Sequence, residues 1–253
     1  MEARALDPFK RPFLPLTLVN YLPSSVLFAF QAMDSMLQIP SHSQIVYLED
    51  KSVVVRSVQT LHKERPTVCR LELDQPRLGL PEKVIVKQKK EDGDDEFRNE
   101  TLAYERLKAL QGTLIPTLLG QGSFNGRPAL ILSVVDGVSL RKLAETDVDE
   151  QTAESQLEKA LKILHENGVE YGDPNLGNFL FCKNGEVVIV DLEEVSFPDK
   201  LRPWEGSVNR RNADYLMWRF RYIRDPDRPR TPPVMTVTTR GPLNGLGQAV
   251  RGS

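Results

Sequence analysis

Three side chains in this 253-residue chain have the types and spacing to do chemistry together: Asp173, Asn178 and Asp191. They frame residues 169–195. A polar turn carries Asp173 and Asn178. A short apolar run (179–182), a turn at Asn184-Gly185 and a second apolar run (187–190) follow, and Asp191 comes directly after. An Asn-Gly pair between two apolar runs is a hairpin signal. A hairpin brings the residues before its first strand close to those after its second, so the three side chains should converge at one end. Two carboxylates and an amide oxygen in one small volume repel unless a cation or a proton is shared. Hard oxygen donors of this kind suit Mg²⁺ carrying a phosphate.

The elements upstream supply a cation. Residues 44–48, 52–59, 67–73 and 83–88 are rich in Val, Ile and Tyr and are bounded by turn residues, which predicts strands. In the last of them Val84 and Val86 share one face, and Ile85 and Lys87 share the other. A lysine on a buried face needs a partner; alone it would more often snorkel to solvent. An acidic loop (91–96) follows, with Asp94 or Asp95 as candidate N-cap. Residues 96–111 then read as a helix with Phe97, Tyr104 and Leu107 at helical spacing, closed by Gly112. Glu100 lies on that apolar stripe and Glu105 lies off it. A carboxylate on a buried face must find a cation, so Glu100, and not Glu105, should pair with Lys87. Residues 118–124 and 128–134 predict a hairpin over Asn125-Gly126.

The order Asp, four residues, Asn, then Asp thirteen residues later, downstream of that lysine and glutamate, resembles the core of the protein-kinase-like superfamily. The form is divergent, as in aminoglycoside and choline phosphotransferases. The segment YERLKALQG, followed by Ile115-Pro116 and a later glycine, resembles the first lobe of fungal kinase-like proteins in particular. The resemblance implies an α+β, two-lobed fold: an antiparallel-sheet N-lobe with one helix (43–134), a short, mainly helical C-lobe (135–224), an N-terminal arm (1–42) and a flexible tail (225–253). It also implies roles. Lys87 would hold the non-transferred phosphates of ATP, and Glu100 would fix Lys87. Val135, in the hinge-like stretch SVVDG (133–137), would border an adenine slot. Asp173 would orient an acceptor hydroxyl and take its proton, and Asn178 and Asp191 would bind Mg²⁺.

The pattern also has departures. Tyr171-Gly172 stands where His-Arg is usual, which removes the partner of a phosphorylated activation loop. Asp191-Leu192-Glu193 replaces Asp-Phe-Gly, and Asn175 stands where protein kinases carry lysine. No glycine occurs in 61–66 (LHKERP), the candidate phosphate-covering loop. His62, Lys63 and Arg65 would have to supply charge there in place of close backbone amides.

Composition bounds the rest. The chain is 40% hydrophobic and 27% charged with net charge -2, so no global attraction to nucleic acid applies. The two cysteines, Cys69 and Cys182, match no metal spacing and read as free buried thiols of an intracellular, cytoplasmic protein. No apolar run of membrane length occurs. Residues 150–166 predict a helix, with His165 structural rather than catalytic, as do 138–146 and 209–222. Residues 200–240 carry ten Lys or Arg against four Asp or Glu, the pattern of a solvated basic face. Three functions fit: an ATP- and Mg²⁺-dependent phosphotransferase acting on a protein or small-molecule hydroxyl, a pseudokinase or nucleotide-binding scaffold, and a non-kinase interaction domain.

Overall fold

The computed structural model describes residues 44–48, 51–62, 65–74, 79–227 and 231. The arm at 1–42, the side chains proposed to carry charge at 62, 63 and 65, and nearly all of the tail lie outside the described residues.

The first half is a six-stranded antiparallel barrel. Its strands are β1 (Ile45–Leu48), β2 (Lys51–His62), β3 (Arg65–Leu73), β4 (Lys83–Gln88), β5 (Leu118–Phe124) and β6 (Arg127–Ser133), in the order β1-β2-β3-β4-β6-β5. β1 pairs with both β2 and β5, and this closes the barrel. The sequence predicted the strands but not the closure. Strand alternation sorts the apolar side chains. Val84, Val86, Ala129 and Ile131 fill the barrel, whereas Ile85, Leu130 and Leu132 belong to a second core that continues into the rest of the chain. The β5–β6 turn is the expected one, with Asn125 at φ 51° and Gly126 at φ 75°.

Between β4 and β5 lies helix α1 (Asp94–Arg106), which buries Glu100, Ala103 and Tyr104. It starts two residues earlier than expected and stops sooner. Gly93 is its N-cap without a side-chain cap, so Asp94 and Asp95 serve the first turn as dipole partners. A 3-10 turn (Lys108–Leu110) precedes Gly112 at φ 78°.

The second half follows a three-residue link. Its elements are β7 (Gly137–Ser139), α2 (Leu140–Leu143), α3 (Glu150–Glu166), β8 (Glu170–Tyr171), β9 (Phe179–Cys182), β10 (Val187–Ile189), β11 (Val195–Ser196) and α4 (Val208–Arg224). Strand β7 replaces the start of the helix expected at 138. It pairs with β9, Gly137 opposite Cys182, and so ties the link to the hairpin. The β9–β10 hairpin forms, yet its loop is not the two-residue type. Asn184 is not at positive φ, Gly185 is (83°), and the amides of Gly185 and Cys182 close the loop on Cys182 and Glu186. Both cysteines are free; Cys69 is buried and Cys182 half-buried. His165 is buried edge-on against Trp204.

Helix α4 buries Asn209, Asn212, Ala213, Leu216, Met217 and Phe220 on one face. The two asparagines are the braces of the polar turn. Asn209 accepts from the Tyr171 amide at 2.8 Å and donates to the carbonyls of Val169 (2.9 Å) and Leu161 (3.1 Å). Asn212 donates to the Tyr171 carbonyl at 2.5 Å. Asn209→Ala therefore strands a buried amide and is expected to cost about 2 kcal/mol in urea denaturation. Barrel closure has its own test. A Cβ on Gly122 would lie 1.8 Å from the Tyr47 carbonyl oxygen, whereas one on Gly206 meets nothing. Gly122→Ala should lower thermal stability by about 2 kcal/mol or more, with Gly206→Ala within about 0.5 kcal/mol of the parent.

Candidate active site

Lys87 is at the end of β4, only 6% exposed, facing α1. Its ammonium touches three carboxylates: Glu100 Oε2 at 2.7 Å, Asp191 Oδ1 at 2.8 Å and Glu193 Oε1 at 3.1 Å. Glu100 arrives from α1, one face of which points at β4; Asp191 and Glu193 arrive from the loop after β10. A separation of Lys87 from Asp191 beyond ~15 Å would have been too wide for one triphosphate and its ion; the two are in contact.

The electrostatics follow from burial and from the excess of acid over base. Burial alone would depress the Lys87 ammonium, but Glu100, Asp191 and Glu193 outweigh it and hold Lys87 protonated well above the usual lysine range. For Asp191, burial works upward, but the charge and hydrogen bond of Lys87 prevail, and its carboxyl ionises below the usual range. Glu100, the most buried of the three carboxylates, takes the remaining strain. Burial pushes it up to about 7 against the pull of Lys87, helped by the charges of Asp191 and Glu193.

Asp173 and Asn178 precede the hairpin's first strand, at the same end as Asp191. Asn178 is buried; its Nδ2 donates to Asp173 Oδ2 at 2.8 Å and to the Tyr171 hydroxyl at 3.1 Å. That orientation leaves the amide oxygen as the atom for a cation. The Asn178 carbonyl accepts the Val190 amide at 2.9 Å, which sets Asp191 beside it. The Tyr171 phenol is held far above its usual range by burial first, then by the Asp191 and Asp173 charges that both reach it. So the hairpin sets Asn178, with Asp173 on its amide, beside Val190 and Asp191, and Asp191 touches Lys87. Val135 lies half-buried in the link between β6 and β7. Glu105 is exposed, away from the cluster.

The departures from the resembled pattern have physical causes here. The Gly172 amide donates to the Glu194 carbonyl at 2.7 Å, and a Cβ on Gly172 would approach that oxygen to 2.5 Å. The polar turn thus presses against the loop after Asp191 where no side chain fits. Leu192 is buried, and its amide donates to Glu100 Oε1 at 3.3 Å. Asn99, next to Glu100 on α1, donates to the carbonyls of Glu193 (2.8 Å) and Val195 (2.9 Å).

Sequence reading missed Glu193 as a partner of Lys87, Asn99 as a clamp, and Asn209 and Asn212 as braces. A signal existed for the last two: they lie on the same helical stripe as Ala213, Leu216 and Phe220, and a polar residue on a buried stripe must find partners. Glu193 and Asn99 had no such signal, because both act across more than ninety residues of chain.

Two donors suit a hard divalent cation: Asp191, whose carboxyl ionises below the usual range, and the amide oxygen of Asn178. The Glu100 and Glu193 carboxylates that lie within 4.8 Å of Asp191 are engaged by Lys87.

Residues 124–202 match the lipopolysaccharide core biosynthesis protein (WaaY) family. A 63-residue stretch is 35% identical to the lipopolysaccharide core heptose(II) kinase WaaY of Escherichia coli K12; it covers 25% of this chain and 25% of that protein. The chain thus matches about a quarter of the length of that curated relative. The kinase domain of Mycobacterium tuberculosis PknI superposes with a TM-score of 0.51 at 16% identity, over 72% of this chain and 79% of that one. No helix among the described residues is long and apolar enough to cross a membrane. The barrel with its single helix and the helical second half thus have the two-lobed α+β fold of a kinase domain, and residues 124–202 are similar to the WaaY family.

Proposed function

We propose that the protein is a phosphotransferase that moves the γ-phosphate of ATP to a hydroxyl acceptor, with Mg²⁺ as its metal. The observation that carries this reading is the contact of Lys87 with Glu100 and Asp191 across two halves of the fold, next to the paired Asp173 and Asn178. Phosphoryl transfer asks a protein for positioning and charge neutralisation rather than covalent chemistry. Lys87 holds the non-transferred phosphates, and Glu100 fixes Lys87. Val135 borders the adenine. Asp173, oriented by Asn178, sets the acceptor hydroxyl and takes its proton. Asn178 and Asp191 hold the metal, whose chemistry when bound is to neutralise phosphate charge. The lobes divide at residues 134 and 135, so the nucleotide would lie between barrel and hairpin.

The name of the Escherichia coli relative favours a sugar hydroxyl as acceptor. The shared segment includes Asp173, Asn178 and Asp191 within residues 124–202. A cytoplasmic location suits an ATP user.

Two measurements test the reading. Mg·ATP should raise the melting temperature of the full chain, by an amount equivalent to about 2.7 kcal/mol at a hundredfold excess over Kd. Asp173→Ala should keep that stabilisation and lose about a hundredfold or more of phosphate transfer to sugar acceptors. Stabilisation without transfer to sugar, protein or amino-alcohol acceptors would mark a nucleotide-binding scaffold instead. Lys87→Met should abolish the stabilisation by Mg·ATP and also cost about 3 kcal/mol of intrinsic stability, because three carboxylates then face each other with their buried cation gone.

A further inference from the structure

Glu193 stands two residues after Asp191, and its carboxylate bridges two ammoniums. One oxygen accepts from Lys87 at 3.1 Å, and the other from Lys90. The side chain of Glu193 is only 14% exposed, that of Lys90 48%. The backbone on both sides is fixed. Lys90 is in the tight turn that opens α1, where its carbonyl accepts the Gly93 amide at 3.2 Å and its Cβ would lie 2.9 Å from a Cβ on Gly93. Lys89, the neighbouring cation, is engaged by Asp94 at 2.6 Å. The Glu193 carbonyl is held by Asn99, and its amide donates to Asp191 Oδ1 at 3.2 Å. What remains able to turn is the Glu193 side chain.

An anionic group with one oxygen on each of two ammoniums has the charge and the shape of a phosphate between two lysines. We infer that Lys87 and Lys90 form a two-lysine phosphate cradle and that Glu193 fills it as a built-in stand-in, which the polyphosphate of a nucleotide must displace. Lys90 thereby supplies a cation that compensates for backbone amides a glycine-rich loop would otherwise bring. The Glu193 side chain swings outward on nucleotide entry while Asn99 keeps the loop in place. This inference rests on the reading of the cluster as a nucleotide site.

Isothermal titration of Mg·ATP into the full chain tests it, using the parent, Glu193→Gln, Glu193→Asp, Lys90→Met and the double variant Glu193→Gln/Lys90→Met. Melting curves without nucleotide check that each is folded. Glu193→Gln should bind about tenfold tighter than the parent, since a neutral amide no longer competes for two charged donors. Glu193→Asp, which keeps the charge but is one methylene too short to reach both lysines, should also bind tighter. Lys90→Met in the parent should change affinity by less than about twofold, because the lost phosphate contact is offset by an easier displacement of Glu193. In the Glu193→Gln background the same change should weaken binding about tenfold, and that non-additivity is the decisive readout.

Equal losses on Lys90→Met in both backgrounds would mean through-space charge alone and would overturn the cradle. Weaker binding by Glu193→Gln would make Glu193 a required ligand and overturn it equally. In either case parent binding that depends on Lys87 leaves the phosphotransferase reading standing. No Mg·ATP binding by any of the five proteins would remove both.

Discussion

A buried ammonium with three carboxylates around it is the interaction on which the rest of this protein depends. Taking Lys87 out of water costs several kcal/mol, and each carboxylate brought with it adds its own desolvation. Such a cluster persists only where every member is held by other contacts. Here β4 delivers the lysine, α1 delivers Glu100, and the loop after β10 delivers Asp191 and Glu193. Three separate elements therefore have to be in register at once. The acid excess leaves its mark on Glu100, whose proton affinity rises to about 7 even though it touches a cation.

The loop after Asp191 is unusually fixed for its position. Its backbone is bonded by Glu100 and Asn99 from α1 and by Gly172 from the polar turn. A glutamate at 193 removes the backbone freedom that a glycine would give. Together these features hold the backbone after Asp191 in place. The loss of an arginine before Asp173 belongs to the same arrangement. The space that side chain's Cβ would need is occupied by the Glu194 carbonyl.

The second half is short, and α4 explains how it suffices. A buried turn must have its amides and carbonyls satisfied. Asn209 and Asn212 do this for the chain from Leu161 to Tyr171, and the apolar residues on the same helical face join the core that also takes Tyr171, Phe179 and Leu192. One helix thus both packs and hydrogen-bonds the turn that presents Asp173. The match to the WaaY family covers the hairpin region and ends before this helix.

What the sequence determined by itself was local or periodic. Alternation predicted the strands; the 3.6-residue stripe picked Glu100 over Glu105; Asn125-Gly126 specified its turn. Asp173, Asn178 and Asp191 were legible because a hairpin of known length joins them. Tertiary structure decided whatever depends on distance in sequence. Closure of the barrel by β1 on β5 rests on a glycine contact seen only once the strands meet. The strand β7 formed where helix was expected, because β9 offered it an edge. Glu193, Asn99 and Lys90 gained their partners only across the cleft. Periodicity reports which face of an element is buried; it carries no information on which distant polar group that face will meet, and in a buried site that meeting fixes both charge and geometry.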